Sequence, residues 1–262
     1  MGHSHQTEPI KPSVKDTPFS FFPQLNGLEK TSWMKSSLGI NYAMTELHFN
    51  SDTLQDKFLR ALAEDNVLPI KEILECFEFF SRVRKSIKRA CVLDLCSGHG
   101  LLGILFAMFE RRVEKVVLVD IRIPPSHHKL LNCAISVAPW VANKIDVRIE
   151  KIHAHADWAQ HDSSVVSTHA CGTLTDTCLE IALACGGPLA VLPCCYPRKA
   201  CKAPLALQQA YGIKDAHDID RTYRLEKADY RVRWASIPAQ ITPMNRIMIG
   251  TPKKLNPQGN II

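Results

Sequence analysis

The sequence predicts an α/β fold, a doubly wound and mainly parallel sheet preceded by a helical extension. Three observations carry this expectation. From Cys91 onward, short β-branched runs alternate with helical stretches, the pattern of a sheet covered by helices on both faces. A glycine-rich turn, Ser97-Gly98-His99-Gly100, joins the first of these runs to the helix that follows it. Toward the carboxyl end, Tyr230 to Ile237 and Arg246 to Gly250 read as a final antiparallel pair.

Taken in chain order, residues 1–27 contain four prolines, an aromatic cluster at Phe19–Phe22 and no sustained periodicity, so they are expected to form a flexible arm. A helical cap follows over residues 28–88. In it Phe58, Leu59, Leu62 and Ala63 share one helical face, and Ile73, Leu74, Phe77, Phe80 and Val83 share another. The main domain spans residues 89–252 and leaves a tail from 253 to 262. Its predicted strands are Cys91 to Cys96, Lys115 to Ile121, Ile145 to Ile152, Ser163 to Thr168 and Leu189 to Leu192. Helices are expected from Leu101 to Glu110, near His128 to Ala138, and from Thr175 to Cys185.

Composition narrows the functional class. The 262 residues are 46% hydrophobic and 22% charged, which is ordinary for a globular protein. No apolar run reaches the roughly 18 residues that mark a membrane-spanning helix. The polar amino terminus shows neither a secretory h-region nor the Arg-rich character of a transit peptide, so the cytoplasm is the expected location. Most of the ten cysteines fall in apolar segments and are expected to be reduced core thiols. The net charge of +6 is compatible with RNA or another polyanion, without specifying either.

Gly98-His99-Gly100-Leu101-Leu102-Gly103, with Asp120 some twenty residues on, fits the dinucleotide fingerprint. Glycine turns of this kind occur in many folds, and Asp120 at the end of the second strand suits the ribose of either a nicotinamide cofactor or S-adenosylmethionine. Asp94 separates the two. It lies near the end of the first strand, where ligands of parallel sheets bind, and a carboxylate there would repel a pyrophosphate. S-adenosylmethionine instead carries a sulfonium and an ammonium, which an acid attracts.

The acid followed by alternating glycines resembles the first motif of the class I S-adenosylmethionine-dependent methyltransferases. That resemblance implies a Rossmann-like, seven-stranded, mainly parallel sheet. It also implies that Asp94, Cys96, Gly98 and Gly100 border the methionine part of the cofactor, with Asp120 on the ribose. Cys96 stands where the family has its first glycine. After the third strand, Asp157 and Trp158 are the expected adenine contacts, although a helix-starting acid and a packed indole would read the same way.

His169-Ala-Cys171-Gly172-Thr-Leu-Thr-Asp176 and Pro193-Cys194-Cys195-Tyr196 close the fourth and fifth strands. The pair is similar to a subgroup that includes proteins like the eukaryotic tRNA 2′-O-methyltransferase and a glutathione-transferase-linked methyltransferase-like protein. His169 is the expected general base and contributes to the cofactor pocket. Asp176 is expected to orient it or to bind the acceptor, and Tyr196 to stack on or hydrogen-bond an acceptor ring. Thr173 or Thr175 would cap the helix between them. His169, Cys171, Cys194 and Cys195 supply soft ligands that could meet above the sheet on zinc or an iron–sulfur group. Against that, adjacent Cys194 and Cys195 are expected to point to different sides and the spacing lacks a Cys-x-x-Cys knuckle, so no metal ligand is assigned. Arg198, Lys199, Lys202, Arg221, Arg224, Arg231 and Arg233 form either a phosphate-binding rim or ordinary solvated charge. The acceptor is RNA or another polar substrate. The alternatives are a small metabolite, or a non-catalytic protein that binds the cofactor and acts through a partner.

Overall fold

A computed structural model describes residues 17–29 and 31–253. Its described residues contain one seven-stranded sheet in the order β3-β2-β1-β4-β5-β7-β6. The strands are β1 (Cys91–Leu95), β2 (Lys115–Asp120), β3 (Ile145–Ile149), β4 (Ser164–Ser167), β5 (Leu189–Val191), β6 (Tyr230–Ser236) and β7 (Arg246–Pro252). The first five run parallel, and β7 is antiparallel to both β5 and β6. The doubly wound, mainly parallel sheet predicted from the sequence is therefore present.

Side-chain alternation explains why the strands read as unbroken apolar runs. Val92, Val116, Leu118 and Val166 join the core on one face. Leu93, Leu95, Val117, Val119 and Val165 join the core on the other. A strand covered on both faces carries apolar residues at every position. The first face is covered by α3 (Ile70–Val83), α4 (Leu101–Phe109) and α5 (Ser126–Val137), and the second by α6 (Thr173–Cys185) and α7 (Leu205–Lys227).

Two shorter helices, α1 (Tyr42–His48) and α2 (Leu54–Glu64), precede α3. Phe58, Leu59 and Leu62 of α2 belong to the same apolar cluster as Leu101, Phe106 and Val116. The helical segment is thus continuous with the core of the sheet. Residues 1–16 of the expected arm, and the tail beyond Lys253, lie outside the described residues.

The expectation of a flexible arm is corrected over residues 17–27. Phe19, Phe22 and Leu25 are buried, and Phe21 and Phe22 pack edge-on against Phe77 of α3 or close to it, with centroids 4.9 and 5.1 Å away. The buried Glu78 carboxylate accepts backbone N–H groups from Ser20, Phe21 and Phe22 at 2.9, 2.8 and 3.3 Å. Aromatic burial and a charged acceptor for the backbone together order a segment that has no periodicity of its own.

Helix α7 has no counterpart in the sequence reading. It begins after Pro204 and breaks at Gly212, where φ is +77°. Its buried face carries His217, Asp218 and Arg221 beside Ala216 and Leu225, so its inward side is not an apolar stripe. The expected threonine cap of α6 is corrected too. Gly172, with φ of +60°, takes the cap position without a side-chain bond, and the Thr175 hydroxyl donates back to the Ala170 carbonyl.

Candidate active site at the carboxyl edge of the sheet

A cavity of about 1610 Å³ opens where β1, β2, β3 and β4 end. That position is the crevice at which parallel α/β sheets bind ligands. Its floor is the turn between β1 and α4. Gly98 and Gly100 take φ of +54° and +82°, values open to glycine at little cost. A Cβ on Gly98 would meet no atom within 4 Å; its missing side chain keeps backbone and open space together on the cavity wall. A Cβ on Gly100 would come within 2.7 Å of Leu118, and one on Gly103 within 2.3 Å of the same side chain. Those two glycines let the helix close onto β2.

Cys96 also lines the cavity, and its φ of +55° explains why glycine suits this position: a side chain in the left-handed region carries steric cost. Burial, with the nearby Asp120 and Asp94 charges, pushes its thiol up to about 12.

Asp120 lines the cavity at the end of β2. Its carboxylate accepts the Gly98 N–H at 2.9 Å and the Arg122 N–H at 3.3 Å. A carboxylate has about four acceptor sites, so capacity remains beyond these two bonds. Beside it, Glu150 donates its backbone N–H to the Asp120 carbonyl at 2.9 Å and also lines the cavity.

Asp94 is placed differently from the expectation. It is buried and is not part of the cavity wall; it accepts the Gly103 N–H at 2.8 Å. Burial raises its carboxyl to about 7, against the Gly103 bond and with help from the Asp120 charge. It braces the loop from behind, so the Coulombic argument that set it beside a sulfonium is corrected. Asp157 and Trp158 do not line the cavity either. Asp157 is exposed, while Trp158 is packed into the second core against the sheet. Their place at the end of β3 is taken by Glu150, Lys151, Ile152 and His153.

His169, half-buried, follows β4 and lines the same cavity. Burial holds its pKa below the usual histidine value, with the neighbouring His99 acting in the same direction. Two residues that the sequence reading passed over lie here. Glu72 of α3 and His99 of the glycine loop meet at 2.9 Å on the cavity wall. The Leu101 N–H donates to Nδ1 of His99 at 3.2 Å, which leaves the proton on Nε2, directed to Glu72. The His99 bond holds the Glu72 carboxyl below its ordinary value in spite of burial. His99, framed by two glycines, was visible as a signal; Glu72 lies 27 residues away on another element and gave none.

Asp176 and Tyr196 stand apart from the cavity lining. Asp176 is buried on α6, bound by Arg221 at 3.0 Å and Arg224 at 2.5 Å. Burial opposes its ionisation, but the two guanidinium groups prevail and hold it below the usual carboxylate range. The Tyr196 hydroxyl donates to Asp218 at 3.2 Å, and burial raises its pKa. Both residues belong to a network centred on Arg221, which is fully buried. Arg221 and Arg224 are thereby removed from the expected basic rim, and Arg233 donates to the Arg82 carbonyl and the Ser86 hydroxyl.

Cys171 lines the cavity two residues after His169. Its sulfur lies 2.7 Å from that of Cys194 and 3.6 Å from that of Cys195, and the last two are 3.7 Å apart. The expectation that Cys194 and Cys195 point to different sides is corrected. Strand β5 ends at Val191, so strand alternation no longer governs them.

A family described as a methyltransferase domain matches residues 69–200, which is 132 of the 262 residues. The chain belongs to this methyltransferase family. As a methyltransferase domain it takes S-adenosylmethionine as its cofactor. Among solved structures, it is similar to an uncharacterized protein of Listeria monocytogenes serotype 4b, with 17% identity and a TM-score of 0.44 over 67% of each chain. A fibrillarin pre-rRNA processing protein of Methanococcus jannaschii is 14% identical with a TM-score of 0.42, over 63% of this chain and 66% of that one. A SAM dependent methyltransferase of Aquifex aeolicus is 17% identical with a TM-score of 0.40, over 68% and 90%. The methyltransferase thus spans about two thirds of the length of the first two. Comparison with curated protein sequences gives no match. No helix among the described residues is long and apolar enough to cross a membrane.

Proposed function

We propose that the cavity at the carboxyl edge holds S-adenosylmethionine over the Cys96–Gly100 turn and that the chain transfers its methyl group to a polar acceptor entering beside His169. The observation that carries this reading is the Gly98 cradle with Asp120 beside it: open space over a left-handed glycine, and a carboxylate with spare acceptor capacity. Asp120 is assigned to the ribose hydroxyls. Glu150 replaces Asp157 as the acid at the end of β3, and Ile121 and Ile152, on the same wall, supply apolar cover for the adenine. When bound, the cofactor supplies an electrophilic methyl on a sulfonium.

The chain's own residues orient the acceptor and take its proton. His169 is the proposed base, a neutral imidazole on the cavity wall, while Glu72 and His99, the latter in the turn itself, form a fixed donor–acceptor pair. Orientation supplies much of the rate in transfers of this kind. Asp176 and Tyr196 act from behind, by fixing the turns that carry His169 and Cys194.

RNA is the first acceptor class we propose, supported by the subgroup resemblance and the +6 charge. A small metabolite is the second. It is favoured by the cavity volume, which exceeds the range of about 300–1000 Å³ for one small ligand and leaves room for a second, and by the consumption of Arg221 and Arg224 in ion pairs.

Calorimetric titration with S-adenosylmethionine tests the shared premise. Asp120→Asn should weaken binding about 10- to 100-fold, the worth of a hydrogen bond to a charged group. Equal binding by the variant, or none by the wild type, sinks the assignment. Radiolabelled methyl transfer onto total RNA and onto a small-molecule extract separates the two acceptor classes. His169→Ala should abolish transfer to the active fraction with cofactor binding intact; undiminished transfer would remove His169 from the chemistry.

A further inference from the structure

The three sulfurs of Cys171, Cys194 and Cys195 lie within 4.8 Å of one another, although they come from two separate turns. Two of the three separations, 3.6 and 3.7 Å, agree with the edge of about 3.8 Å that two thiolates make when each lies about 2.3 Å from one tetrahedral zinc. The third, 2.7 Å between Cys171 and Cys194, widens to that edge by a small rotation of either side chain, both of which have solvent beside them. A disulfide would use two sulfurs and leave no role for the third. All three converge.

Buried polar side chains hold both turns from behind. Arg221 donates to the carbonyl of Gly172, next to Cys171, at 3.1 Å. His217 bonds the carbonyl of Pro197, two residues past Cys195, at 3.2 Å. The two turns also touch: a Cβ on Gly172 would stand 3.3 Å from the Pro197 ring. A ligand set fixed by such a supporting shell is the usual construction of a metal centre.

We propose that Cys171, Cys194 and Cys195 bind one zinc ion through three thiolates, with the fourth position open at the edge of the cavity. Binding forms three sulfur–zinc bonds and releases three thiol protons to solvent, with no electron transferred. Three protein ligands and an open place are the arrangement of reactive rather than purely structural zinc. Because Cys171 also lines the cavity, that place is suited to water or to a soft acceptor group, a thiolate or an imidazole. Zinc binding is read directly and does not rest on the methyl-transfer reading.

The test uses the full chain, purified reduced and dialysed against zinc. Elemental analysis should give about one zinc per chain. Exchange for cobalt(II) should give thiolate-to-metal charge-transfer absorption, which histidines near the amino terminus cannot produce. Cys171→Ser, Cys194→Ser and Cys195→Ser should each weaken zinc binding at least tenfold, while Cys201→Ser should not. If a variant fails to fold, alkylation of the wild type decides instead: zinc should protect these three thiols and leave Cys201 unprotected. Absence of bound zinc, a cobalt spectrum without thiolate bands, equal labelling with and without zinc, or a Cys171–Cys194 disulfide in the reduced preparation would each overturn the proposal.

Discussion

Replacing Asp94 with asparagine should remove a pH dependence from the stability of the fold. Asp94 is buried behind the glycine loop, and burial raises its carboxyl from 3.8 to about 7. Below pH 3.8 the folded and unfolded chains both hold this proton, and it has no effect. Between 3.8 and 7 the unfolded chain releases a proton that the folded chain keeps, so stability falls as pH rises. Above 7 both states are ionised and the loss is complete. At 1.36 kcal/mol per pH unit the full loss is about 4 kcal/mol, of which about 3 kcal/mol falls between pH 5 and 8. Asparagine keeps an oxygen for the Gly103 N–H, now accepted at 2.8 Å, and has no charge to bury. Urea unfolding of both proteins at several pH values measures the difference, and groups elsewhere cancel. The stability gap should move toward the variant by about 3 kcal/mol from pH 5 to 8. A gap that stays constant would refute the placement of Asp94 in a dry environment.

Three further outcomes follow from the packing. Gly103→Ala puts a methyl 2.3 Å from Leu118 and 2.8 Å from Val116, so it should cost about 1–3 kcal/mol by overpacking; an unchanged melting temperature would contradict the closeness of α4 to β2. Arg221→Met leaves the buried Asp176 and Asp218 carboxylates short of a partner and should cost about 3 kcal/mol, part of which Asp176→Asn should restore in the double variant by chemical denaturation. Cys96, pushed up to about 12, stays protonated at pH 8. Peptide mapping after brief iodoacetamide treatment of metal-free protein should therefore find exposed Cys195 labelled before Cys96; the reverse order would mean that the thiol is not shielded as described.

Much of the sheet was legible because both faces of β1, β2 and β4 are covered, which forces unbroken apolar runs into the sequence. The Gly98–Gly100 turn and Asp120 were legible because left-handed backbone and a strand-end carboxylate leave local marks. Asp94 was located correctly along its strand but assigned to the wrong side, since a strand position does not reveal whether a loop folds over it. Asp157 and Trp158 were misplaced for a related reason: β3 ends at Ile149, earlier than the apolar run suggests, which brings Glu150 to the rim in their stead. Helix α7 left no apolar stripe, because its inner face buries Asp218 and Arg221, whose partner Asp176 lies more than forty residues away. Long-range pairing of charges has no local periodicity. The same holds for Glu72 with His99, and for Cys171 with the Cys194–Cys195 pair.

The clasp that Glu78 makes on Ser20, Phe21 and Phe22 has a consequence for where the chain can be shortened. Thr17 shares a 2.6 Å hydrogen bond with Ser236 of the edge strand β6, so this leading strap ties α3 to that edge strand. A version begun at residue 28, where the sequence texture suggests a boundary, would uncover the rings of Phe77 and Phe80 and leave the buried Glu78 carboxylate without its three backbone donors. Such a fragment carries an adhesive apolar face and should be recovered from expression mainly as insoluble material, whereas one begun at residue 17 keeps its seal.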